Sequence, residues 1–63
     1  MNNDDLRKAL LMREHVEYNG ATYLLTSVLY RIGQKGELIV SAELFDGKNS
    51  LVYAAAKDLK RIE

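Results

Sequence analysis

Val16-Glu17-Tyr18-Asn19-Gly20-Ala21-Thr22-Tyr23 reads as a hairpin. Val16 and Tyr18 alternate with His15 and Glu17 at the period of a strand, and Asn-Gly is the preferred pair for a two-residue turn whose central residues both need positive φ. Two more turn signals follow, Gly33-Gln34-Lys35-Gly36 and Asp46-Gly47-Lys48-Asn49, each set between short apolar segments. Turns that join strand-like runs in this way predict an antiparallel β-meander.

Beyond Gly20 the segment Thr22 to Ile32 is long and apolar on both faces, with Leu25 and Leu29 on one side and Leu24, Val28 and Ile32 on the other. In so small a protein such a strand is expected to bend so that each half serves a different face, and Thr26-Ser27 is the expected bend. Leu38, Val40, Ala42 and Leu44 then alternate with Glu37, Ser41 and Glu43, the pattern of a half-buried strand. Ile39 and Phe45 interrupt its polar side at the two ends. Leu51, Tyr53 and Ala55 oppose Val52, Ala54 and Ala56 in a further strand, although the alanine run also favours helix. From Lys57 to Glu63 the expectation is one helical turn or a last short strand, with Leu59 and Ile62 toward the core.

Upstream of the hairpin, Asn2 or Asn3 can cap a helix and Asp4 and Asp5 suit its positive end. The helix is expected from about Asp4 to about Arg13, with Leu6, Ala9, Leu10 and either Leu11 or Met12 as its apolar stripe. At about three turns it is too short to persist alone in water, so the stripe must cover an end or face of the sheet.

Taken in order, these elements resemble the small SH3-like barrels, a group that includes Tudor-like and KOW-like modules. Val16 to Tyr23, Ala42-Glu43-Leu44-Phe45-Asp46-Gly47 and Asp58-Leu59-Lys60-Arg61-Ile62 carry the likeness, which spans about residues 15 to 63. At 63 residues the chain is expected to be one domain over residues 1–63, and the likeness implies a mainly β chain forming a small antiparallel barrel or meander behind a short N-terminal helix. Modules of that group bind peptides, methylated side chains or nucleic acid, or serve as structural additions. The paired aromatics and acidic loop of the peptide-binding members do not map onto this chain.

A 63-residue domain buries only about 60% of the surface its unfolded chain exposes. With no cysteine and a single histidine, disulfide and metal staples are excluded, which leaves close packing and a partner subunit. Self-association as a dimer is therefore expected, through an edge strand or the apolar face of the helix. Nine Lys and Arg balance nine Asp and Glu, so no long-range field draws the chain to nucleic acid, and no tight binding to it is expected. Its apolar runs fall short of the roughly 20 residues of a membrane span, and Met1-Asn2-Asn3-Asp4-Asp5 is acidic where a secretory signal is basic. The expected location is the cytoplasm, away from membranes.

Catalytic chemistry finds no constellation. His15 has Glu14 and Glu17 beside it but no second imidazole or thiol, so it reads as an exposed or edge residue and not as a base or ligand. Glu37, Glu43 and Asp46 line the solvated side of a strand. Gly33 to Gly36 leads into a strand where a phosphate loop leads into a helix. Ser27, Ser41 and Ser50 lack a histidine partner. No catalytic residue, metal or other cofactor is expected. Tyr18, Tyr23, Tyr30, Phe45 and Tyr53 read first as core and cross-strand packing. With Arg31, Lys48, Lys57, Lys60 and Arg61 nearby, the alternative is a surface that stacks bases. Tyr30 and Tyr53 are the candidate binding residues, because apolar neighbours flank each and each phenol offers a polar tip. The expected function is a noncatalytic protein-interaction or structural module, and the alternative is a weak nucleic-acid-binding accessory protein.

Overall fold

In the computed structural model, which describes residues 1–62, Asn2 starts the helix α1 (Asn3–Leu11). Its Oδ1 accepts from the Asp5 N–H at 2.8 Å, satisfying one of the orphan donors of the first turn. The far end comes earlier than the expected Arg13. Met12 caps the helix and Arg13 takes φ +56°, so that the Arg13 N–H donates to the Leu10 carbonyl and the Glu14 N–H to the Ala9 carbonyl. This is a Schellman closure with arginine where glycine is usual. A sequence without glycine at that place gave no sign of it.

The strands follow as β1 (His15–Tyr18), β2 (Ala21–Ile32), β3 (Leu38–Phe45) and β4 (Leu51–Ala55), then a 3-10 turn (Ala56–Asp58) and a short β5 (Lys60–Arg61). Tyr18 pairs with Ala21 across Asn19 and Gly20, whose φ values of +51° and +78° are those the two-residue hairpin requires. β2 pairs with β1 through its first part and with β3 through its second, and the register slips between Leu25 and Ser27. Thr26 is thus the extra residue of a β-bulge at the expected bend. The slip moves the inward set from Tyr23 and Leu25 to Val28, and Leu29, placed with Leu25 by simple alternation, points the other way and is 42% exposed.

All five strands lie in one antiparallel sheet of order β4-β3-β2-β1-β5. The sheet is open, with β4 and β5 as its edges. One face holds the core, where Leu6 and Ala9 of α1 meet Val16, Leu25, Ala42, Leu44, Ala54, Ala56 and Leu59. Leu6, Leu44 and Val16 are the largest side chains wholly enclosed, each worth about 1.5–3 kcal/mol of burial. Leu11 and Met12 stay outside at 78% and 72% exposure, so the helix stripe is narrower than expected. Of the two residues expected inward near the C-terminus, Leu59 is buried and Ile62 is 48% exposed. Glu63, the end of that expected segment, lies outside the described residues. The Met1 ammonium donates to the carbonyls of Ala56 and Leu59, each at 2.9 Å, and ties the start of α1 to the 3-10 turn.

Candidate functional site

β3 is flanked by β2 and β4, so its outward residues form rows across the sheet. Leu29, Ser41 and Ala55 make one row, and Ser27, Glu43 and Tyr53 the next. Arg31 lies opposite Ile39 beyond the first. These rows surround an open hollow of about 410 Å³ walled by Leu29, Arg31, Ile39, Ser41, Tyr53 and Ala55, in the volume range of ligand clefts. Tyr53 is 60% exposed at its margin.

The polar wall is fixed by Glu43. Its carboxylate accepts from the Thr26 hydroxyl at 3.0 Å on one oxygen and from the Tyr53 hydroxyl at 3.0 Å on the other. The same Thr26 proton is shared with the Glu43 carbonyl, also at 3.0 Å. The bulge residue therefore positions the carboxylate that holds the ring. Donation to Glu43, together with the negative charge there, raises the Tyr53 phenol above its ordinary value. The hollow thus offers an apolar floor, a tethered aromatic and a guanidinium at the rim. Such a surface can take an apolar side chain beside an acidic group.

Tyr30 stands elsewhere. It follows Leu29 on β2 and so leaves the sheet on the opposite face, where its hydroxyl donates to the Asn3 Oδ1 of α1. It is 48% exposed and is also among the residues that line the hollow. The two candidate tyrosines are surface residues that both line the hollow, but their rings leave the sheet on opposite faces, with one hydroxyl on Asn3 and the other on Glu43. Tyr18 and Tyr23 pack against the core and each other, with ring centroids 6.3 Å apart. Leu29, Ile39 and Ser41 were missed as site residues, because only the bulge puts Leu29 outside beside them.

His15 is exposed at the start of β1, and Glu37 is exposed at the hairpin before β3. The Glu37 carboxylate accepts from the Lys35 N–H at 3.0 Å, and the turn leads into β3. Asp46 spends its carboxylate on its own loop, accepting from the N–H groups of Lys48, Asn49 and Ser50 at 2.7, 3.2 and 3.2 Å. Among the described residues no group of three or more His, Cys, Asp or Glu is placed to hold a metal ion. No helix among them is long and apolar enough to cross a membrane. Comparison with family models, curated proteins and solved structures finds no match to this chain.

Proposed function

We propose that the chain is a noncatalytic protein-interaction module on an SH3-like bent sheet, and that the outer hollow takes an extended peptide. The SH3-like reading is supported by the long β2, bulged at Thr26 and shared between β1 and β3, and by the return of β5 to β1. The observation that carries the binding reading is the convergence of exposed Leu29 and Tyr53 with Ile39 and Ala55 on one hollow. Leu29 has no core to fill from that face, and the Tyr53 ring is held in place before a ligand arrives, so little side-chain freedom is lost on binding. An aliphatic residue flanked by a carboxylate fits the floor and Arg31 together.

Selection of displayed random peptides on the immobilised chain tests this. The expected binders carry an apolar residue next to Asp or Glu, and they lose affinity for Tyr53→Ser and Leu29→Ser variants whose melting temperatures match the parent. Peptides that bind these variants as well as the parent would refute the assignment, as would a selection that enriches none.

A further inference from the structure

The two edges of the sheet are built differently. β5 has only two residues, Lys60 and Arg61, both charged and exposed. Short, cationic edges are how sheets prevent pairing with other chains. β4 is Leu51-Val52-Tyr53-Ala54-Ala55, without charge or proline. Its ladder to β3 begins at the loop, where the Asp46 N–H donates to the Ser50 carbonyl at 3.2 Å. Alternation from that pair gives the Leu44–Val52 and Ala42–Ala54 pairs the hydrogen bonds to β3. The N–H and C=O groups of Leu51, Tyr53 and Ala55 consequently face the open edge. Leu51 and Tyr53, which alternate with these bonds, are 53% and 60% exposed.

We infer that β4 pairs antiparallel with β4 of a second copy of this chain, about a two-fold axis at Tyr53. This register sets Leu51 opposite Ala55 of the other copy and uses all the outward backbone groups of the strand. It extends the sheet of one copy into the other. A second copy is favoured as occupant because the outward groups of Leu51, Tyr53 and Ala55 are complementary to themselves about that axis. A folded monomer of 7.2 kDa is expected to expose about 4,100 Å², whereas this chain exposes 4749 Å². The surplus of about 600 Å² is counted over the whole surface, to which the exposed Leu51 and Tyr53 of β4 contribute. Nine positive charges matched by nine negative ones leave no net repulsion between two copies. Tyr53 and Ala55 belong both to this edge and to the wall of the outer hollow, whereas Leu51 lies outside the hollow and Leu29 outside β4, so the Leu51 variants test the pairing and Leu29→Ser tests the peptide reading separately.

Sedimentation of the full chain at micromolar concentration tests the pairing. The parent is expected to have twice the monomer mass, and Leu51→Lys to lose the dimer while keeping its circular dichroism and melting transition. In the register given, the double variant Leu51→Lys, Ala55→Glu sets lysine opposite glutamate of the other copy twice, and it is expected to restore the dimer. Leu11→Lys, on the exposed helix face, is expected to leave the dimer intact. A monomeric parent, a dimeric Leu51→Lys, a double variant that stays monomeric, or a dimer lost in Leu11→Lys would each overturn the inference.

Discussion

Substituting Gly20 isolates the cost of a backbone conformation from any cost of space. The residue has φ +78°, and a Cβ added there meets no heavy atom within 4 Å. Whatever stability is lost therefore comes from the dihedral angles of the turn. The left-handed region costs an L-residue about 1–2 kcal/mol, and β-branching raises this, so Gly20→Ala should cost about 1 kcal/mol and Gly20→Val about 1–3 kcal/mol. A domain of 63 residues has a stability of only about 3–9 kcal/mol, so the valine variant loses a substantial part of it. Its melting temperature should fall by roughly 5 to 20 °C. Urea unfolding followed by circular dichroism would measure the change, with an unaltered slope showing that the denatured state is the same. Gly20→Asn should lie closest to the parent, because asparagine tolerates positive φ. A valine variant as stable as the parent, or an asparagine variant as unstable as valine, would refute the reasoning.

At the other left-handed position, Arg13→Gly should raise stability by roughly 1 kcal/mol in the same assay, since the helix end demands a conformation glycine adopts freely. Leu44→Ala empties a site with no exposure and should cost about 2–5 kcal/mol, enough to populate unfolded chain at 25 °C by circular dichroism. The backbone N–H of Lys48, with help from those of Ser50 and Asn49, holds the Asp46 carboxyl below its ordinary 3.8. A lowered value means that the loop is supported above the ordinary pKa and released as pH falls through the shifted one. Protection of the Lys48 and Ser50 amides, measured against the intrinsic exchange rate at each pH, should therefore fall in acid below about pH 4, and Asp46→Asn should remove that dependence. Titration with single- or double-stranded oligonucleotides at physiological salt should give nothing tighter than the nonspecific range of roughly 10⁻⁴–10⁻⁶ M. Submicromolar binding would favour the nucleic-acid alternative.

Local chemistry made the first hairpin legible. Asn19-Gly20 has one comfortable geometry, and the strands on either side follow from it. The bend at Thr26-Ser27 was legible too, because a strand apolar on both faces cannot stay straight in so small a domain. What alternation alone could not supply was the size of the slip. One extra residue reverses every later side chain, so Leu29 left the side that simple alternation shares with Leu25 and lines the outer hollow. The helix end escaped for a related reason, since arginine carries no signal for left-handed backbone. Tyr30 and Tyr53 are exposed rings whose hydroxyls donate to Asn3 and Glu43 of the same chain, and the parity that separates their faces depends on the same bulge.

The bond from the Met1 ammonium to Ala56 and Leu59 spans 55 and 58 positions of the chain, whereas the first hairpin closes over Asn19 and Gly20 alone. The entropy of closing a loop grows with its length, so contacts between distant positions wait for local ones to form. Assembly should begin in the hairpins and finish where α1 and the 3-10 turn meet. The reverse holds for breathing motions of the folded protein. The seam between helix and turn should open before the sheet does, and the amides of Leu6 and Leu59 should exchange with solvent sooner than those of Ala42 and Leu44, although all four side chains are equally enclosed.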